Sequence, residues 1–268
     1  DTDPLVQAVE AAARAGIHVV ASAGNHGLNP ETSEPGYAGI VSPANAPSAI
    51  AVGAETTVDT NVRSDDRVTR YSSRGPSWYD GTAKPDLVAP GHAMVSVAAR
   101  SSTLYLNNPD LQVDESYMRL SGTSMAAGVV SGTLALVIEA NRTEFAGAPP
   151  LTPNAAKALL QFTALKVHDE LGAEYDALTQ GAGSVNPAGA IDLASKIDPS
   201  AAVSSWWLTT GVTPTTTIEG ETHSWAENIV WGNAIGSGPT LYTNEPAWSQ
   251  NIVWGNNIVW GNNIVWGN

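Results

Sequence analysis

Leu5, Val6, Val9, Ala12 and Ala13 recur at helical spacing behind Asp3 and Pro4, and Gly16 closes the run. This is a capped helix with proline in its first turn and glycine at its stop. Next comes "IHVVASA", Ile17 to Ala23, a nearly unbroken apolar stretch of the kind found in a strand covered on both faces. "AIAVGA", Ala49 to Ala54, repeats that pattern, and "DLVAPG" and "MVSVAA" add two short strand candidates around Pro90. Helical patterns follow from Thr123 to about Ala140, from Thr152 with Pro153 in the first turn, and briefly after Pro187. Strands alternating with helices predict an α/β fold with a largely parallel sheet flanked by helices.

The pattern changes after Lys196. No Lys or Arg occurs beyond it, whereas eight of the nine tryptophans do. We therefore divide the chain near Ile197, into residues 1–197 and 198–268. In the second part "TTGVTPTTTIEGETHS", Thr209 to Ser224, reads as a linker. The hexad "NIVWGN" stands at Asn228 and then three times in tandem from Asn251 to Asn268. Its even period keeps Ile and Trp on one face of an extended strand, and Gly-Asn-Asn allows a turn between copies. The expectation is a Trp-rich, low-complexity tail that packs on nothing specific. The alternative is a sticky or carbohydrate-contacting surface of spaced indoles.

With 26 acidic against 12 basic residues and a net charge of −14, the chain is unsuited to nucleic acid, whose phosphates call for Lys and Arg. The absence of cysteine excludes disulfides and thiolate metal sites. No apolar run approaches the ~18 residues of a membrane span, and no signal peptide is visible. Nothing in the pattern sets an oligomeric state.

Three stretches carry candidate chemistry. "ASAGNHG" puts Asn25 just past a buried strand, where its amide can enter a crevice above the sheet. "SSRGPSWYDGTAKPDLVAPG" runs into a Pro-Gly corner. "SGTSMAAG" places Ser124 at a helix N-terminus, where free N–H groups favour developing negative charge. Singly, these read equally as a turn after a strand and as a helix cap. In this order, with "GTSMAA", "AGN", "KPDLVAPG" and the closing "GAGSVNPAGAIDLA", they resemble the second half of the catalytic domain of the subtilisin-like serine peptidases, the subtilases. The nucleophile elbow G-x-S-x-G of α/β-hydrolases is not the pattern here.

The resemblance implies a subtilisin-like fold and peptide-bond hydrolysis, with protein or peptide substrates and no cofactor required for the chemistry. Ser124 would be the nucleophile and Asn25 the side-chain oxyanion donor beside the N–H of Ser124. The backbone of Ala21, Ser22, Ala23 and Gly24 would form one wall of the pocket for the residue before the scissile bond. Gly128 departs from the family's usual proline without removing a catalytic group. Structural calcium is common in the family, yet no carboxylate cluster here has convincing ligand spacing, so no metal residue is assigned. Secretion or a cell-surface location is implied by the family alone.

The family's aspartate and histidine motifs precede the asparagine segment, and here only one helix does. Asp1-Thr2 lacks the glycine and the strand of the aspartate motif. His18 lies in an expected strand, His26 beside Asn25, His92 after the Pro-Gly corner, His168 in a polar connection and His223 in the tail. None sits in a motif that would orient it toward Ser124. The expectation is therefore a domain incomplete at its N-terminus, with the triad Asp and His upstream and little activity in the chain alone. The alternative is a catalytically silent secreted binding module that uses the peptidase scaffold or the Trp-rich tail.

Overall fold

The computed structural model describes residues 3–78, 80–232 and 234–251, and two strand pieces at 258–259 and 265–266. Asp1 and Thr2 lie outside the described residues, as does most of the tandem repeat.

Helix α1 (Pro4–Arg14) starts where the pattern places it, with the Asp3 carboxylate accepting from the Leu5 N–H at 2.8 Å. Val6, Val9 and Ala13 face inward, while Leu5 is solvent-exposed. Strand β1 is only Val20–Ser22, and Ile17 is exposed, so the apolar run is longer than the strand it announces. Strand β2 (Ile50–Thr56) is the centre of the sheet. It pairs in parallel with β1 and, after β3 (Arg67–Val68), with β4 (Leu87–Pro90). The two-residue β3 joins the end of β2 antiparallel. The outer edge of β1 has no ladder partner among the described residues. Successive residues of β2 face opposite layers. Ile50, Val52 and Ala54 join one core cluster, and Ala51 joins another with Val6, Val9, Ala44 and Ala49.

"MVSVAA" is not part of that sheet. Its strand β5 (Met94–Val97) is largely exposed and forms a hairpin with β6 (Tyr117–Leu120), the two separated by the short helix α2 (Thr103–Asn107). An apolar run marks a buried strand only if something covers both faces, and here nothing among the described residues does.

Helix α3 (Thr123–Glu144) follows. Ala126, Val130, Leu134 and Val137 pack it against β1, β2 and β4. At 22 residues it is long and apolar enough to cross a membrane by length and composition. Ser, Thr and Gly interrupt its apolar runs, which is why the run-based reading passed over it. One face of it packs on the sheet, and only 33% of its most apolar stretch is buried. Helix α4 (Pro153–Phe162) is capped by Thr152, whose hydroxyl accepts from the Ala155 N–H. The short α5 (Ala177–Gln180) and α6 (Pro187–Ala194) complete the part matched by the sequence pattern.

The expected linker is folded. Thr209–Ser224 contains the hairpin of β7 (Thr215–Ile218) and β8 (Glu221–Ser224). Its two-residue turn has positive φ at Glu219 (51°) and Gly220 (87°), the twist that hairpins favour. Buried Asn186 donates to Thr216 Oγ1 at 2.8 Å and to the Thr163 carbonyl at 2.9 Å. Strand β9 (Asn228–Trp231), the first hexad, pairs with β10 (Ala234–Ser237), and α7 (Pro246–Ser249) brings in Trp248. Trp207, Trp225, Ile229, Trp231 and Trp248 belong to the same core cluster as Ile50 and Val52. Packing is therefore continuous across residue 197, and residues 198–251 do not behave as a loose extension. The tandem hexads themselves fall outside the described residues except for Asn251, β11 (Ile258–Val259) and β12 (Val265–Trp266).

Candidate active site

At the C-terminal end of β1 the chain turns through Gly24, at φ +110°. A Cβ there would meet Ser73 Oγ at 2.8 Å, so glycine is required on both counts. Residues 71–73 brace this turn. Ser73 N–H donates to the Gly24 carbonyl at 2.9 Å, and Ser73 Oγ accepts from the His26 N–H at 3.0 Å. Asn25 is thereby held on a rigid stalk with its side chain exposed.

Ser124 comes from the other side of the crevice. Its helix begins at Gly122, whose φ of 154° and ψ of 159° suit glycine almost alone. The Gly122 N–H donates to the Gly91 carbonyl at 2.8 Å, tying the helix start to the Pro90-Gly91 corner. Ser124 is exposed, and its N–H has no partner among the described residues.

Thr123, not singled out by sequence reasoning, joins the two halves. Its N–H and its hydroxyl both donate to Asn25 Oδ1, at 3.0 and 3.1 Å. The same hydroxyl accepts from the Gly24 N–H at 3.2 Å. With Oδ1 engaged twice, the amide's free side is Nδ2, a donor. The Cβ of any side chain at 122 would lie 3.5 Å from that nitrogen, so the glycine also keeps the space in front of it open. The threonine between Gly122 and Ser124 was the available signal, since a hydroxyl in a helix's first turn is placed to bond across to a neighbouring loop.

Of the residues expected to wall a pocket, Ala21 and Ala23 are buried and committed to β2, the Ala23 N–H donating to the Val52 carbonyl at 2.9 Å. Register turns the main-chain groups of Val20 and Ser22 toward the open edge. Beside Asn25 lies a cleft of about 400 Å³ lined by His26, Leu28, Pro30, Tyr37 and Tyr71. On the far side of Met125 an apolar cleft of about 670 Å³ runs between α3 and the β5–β6 hairpin.

No histidine among the described residues is hydrogen-bonded to Ser124. His26 shares the cleft with Asn25, although its ring forms no hydrogen bond there. His18 is half-buried, and burial, aided by Arg142, lowers its pKa. His92 stacks near Tyr71 at 6.1 Å. No three His, Asp or Glu side chains converge as metal ligands among the described residues.

Below the crevice sits an unexpected buried charge cluster. Asp86 accepts from Lys84 Nζ and Lys157 Nζ at 2.8 Å each, from the Ala51 N–H at 2.7 Å and from Gln161 at 3.0 Å. Burial drives the Lys157 ammonium down to about 7 against the pull of Asp86. This cluster ties "KPDL" to β2 and α4.

The family model of the Subtilase family matches residues 1–189. The chain belongs to the subtilases. Serine protease AprX of Bacillus subtilis is 39% identical over 184 residues, 69% of this chain and 37% of its own length. Pyrolysin of Pyrococcus furiosus is 32% identical over 209 residues, covering 69% of this chain and 13% of its own. Among solved structures, the patellamide maturation protease PatA superposes with a TM-score of 0.51 at 27% identity, covering 72% of this chain and 57% of that one. This subtilase chain thus spans little more than a third of AprX and a smaller share of pyrolysin.

Proposed function

We propose that the chain contributes the nucleophile and oxyanion half of a serine endopeptidase. In this reading Ser124 Oγ attacks the peptide carbonyl. The oxyanion is received by Asn25 Nδ2 and the free N–H of Ser124, at the positive end of α3. Thr123 fixes the asparagine in its donor orientation. The observation that carries the reading is the double engagement of Asn25 Oδ1 by Thr123, which leaves the amide N–H groups facing the helix start that bears Ser124. The backbone of Ala21 to Gly24 would line the pocket for the residue before the scissile bond.

A hydroxyl needs a base, and the proposal assigns the triad histidine and aspartate to polypeptide outside residues 3–251. Two surfaces support that assignment, namely the open edge of β1 and the exposed outer face of α3, where Gly128, Gly132, Ala135 and Leu136 lie uncovered. The chemistry needs no cofactor, and no residues are assigned to structural calcium. Substrates are proteins or peptides, and placement is secreted or at the cell surface, which detection of the protein outside the cell would test. A silent binding module is favoured by one observation, that Ser124 has no bonded histidine among the described residues.

Kinetics on a fluorogenic peptide, using the chain combined with the histidine-bearing polypeptide, separate the two readings. Asn25→Ala is expected to lower kcat by about 10²–10³ with little change in KM, a magnitude already known from a subtilisin. A change confined to KM would reassign Asn25 to substrate binding. No turnover above that of Ser124→Ala would favour the silent module.

A further inference from the structure

One copy of the hexad Asn-Ile-Val-Trp-Gly-Asn is seen in place, and it shows what the sequence does. In β9, Ile229, Val230 and Trp231 are buried. Trp231 meets Trp248 edge-on, with ring centres 5.5 Å apart, and Lys157 Nζ stands 4.8 Å from its ring. One long edge of the strand is closed by protein. The buried Gln161 amide both donates to the Val230 carbonyl and accepts from its N–H, at 3.1 Å each, and the Ala83 N–H donates to the Gly232 carbonyl at 2.8 Å. The other edge pairs with β10. Gly232 has φ +59°, the left-handed conformation of a tight hairpin turn, so the hexad's glycine reverses the chain. This copy of the hexad is a short strand followed by a reversal.

Three further copies stand in tandem from Asn251 to Asn268, with no spacer between them. They leave from a fixed point, because the Asn251 side chain accepts from the Asn154 N–H at 3.0 Å and donates to the Ala13 carbonyl at 2.6 Å. Hexads also pair with one another. Strands β11 and β12 form an antiparallel ladder with Ile258 opposite Trp266 and Val259 opposite Val265.

Among the described residues the outer edges of β10, β11 and β12 have no ladder partner. Natural proteins guard such edges with Lys, Glu or Pro, yet no side chain from Pro246 to Asn268 is charged and the hexads contain no proline. The terminal edge is complementary to itself, as an isologous contact requires.

We propose that the hexad tail is a homotypic association module, in which the terminal hexad strand of one copy pairs edge to edge with that of a second copy of this chain. The proposal does not depend on the peptidase reading. The body carries a net charge of −14 and the tail none, so screening salt should strengthen the contact.

Sedimentation equilibrium of the 268-residue chain tests this, beside a truncation of residues 252–268 that keeps the Asn251 anchor and a V259K/V265K variant. The full chain should pass from monomer to dimer with concentration, more readily at high salt, and both variants should associate at least about tenfold more weakly. Because the chain has no cysteine, V265C gives a second reading. Its interchain disulfide should form faster than that of L171C, placed at a site 93% exposed. A full chain that stays monomeric, association unchanged by truncation, or equal cross-linking rates would each overturn the proposal.

Discussion

Glu55→Gln is expected to remove a large pH dependence from the stability of this chain. Glu55 lies within β2, fully buried, with Oε1 accepting from Ser184 Oγ at 2.6 Å and Oε2 without a partner among the described residues. Burial pushes its carboxyl from 4.5 up to about 8, with the neighbouring Asp66 charge adding to the rise and the Ser184 bond and Arg63 opposing it. At 1.36 kcal/mol per pH unit, that rise corresponds to roughly 5 kcal/mol. The sign follows from proton binding. Between about 4.5 and 8 the folded state keeps a proton that the unfolded state has released, so the stabilisation is complete below that window and is lost as pH rises through it. Glutamine mimics the protonated acid. It should be equal to the wild type at pH 5, or weaker by about 1 kcal/mol because its NH₂ lacks an acceptor. At pH 9 it should be more stable by about 3–5 kcal/mol.

Two other groups titrate nearby. Burial raises Asp66 to about 6, which lowers stability between about 4 and 6, and it depresses Lys157 to about 7, which raises stability from about 7 to 10.5. Both are common to the two proteins, so the difference between variant and wild type isolates Glu55. Urea unfolding followed by tryptophan fluorescence at pH 5, 7 and 9 measures that difference. Parallel curves, with a constant offset across the range, would show that Glu55 is not held protonated and would refute the reasoning.

Asp86→Ala strands the Lys84 and Lys157 ammoniums in the core and should cost about 3–5 kcal/mol, lowering Tm by roughly 6–20 °C by calorimetry; a loss under about 1 kcal/mol would mean that water compensates the cluster. Gly128→Ala should raise stability by about 1 kcal/mol, since the position is helical and nothing lies within 4 Å of the added Cβ; destabilisation in urea melts would point to a packing contact at that face.

The sequence was most legible where local chemistry and tertiary packing agree. Asp3 and Thr152 cap the helices they announce, and "AIAVGA" is a central strand because both of its faces are in fact covered. Asn25 and Ser124, about a hundred positions apart, stand on facing elements because their motifs encode a strand end and a helix start. Legibility failed where composition and burial part company. "MVSVAA" does hold the strand its pattern announces, but the strand is exposed and outside the main sheet, since it pairs with Tyr117–Leu120 beyond an intervening helix. The Thr-rich stretch before Trp225 looked like a linker because its hydroxyls are polar, but Thr216 spends its hydroxyl on Asn186 and the Trp225 indole, out of solvent. Lys84, Asp86 and Lys157 gave no signal, because charged residues are read as surface unless their partners are known. Thr123 was hidden for the same reason: its role consists of bonds to residues 98 and 99 positions away.

The most direct test of the central claim is the site of covalent labelling. Incubated with a sulfonyl fluoride together with the polypeptide that supplies the base, the protein should carry a single adduct on the peptide containing Gly122 to Met125, placed on Ser124 by tandem mass spectrometry. Asn25→Ala should slow labelling, because the sulfonyl oxygen occupies the position of the oxyanion. An adduct on any other serine, with Ser124 unmodified, would contradict the account.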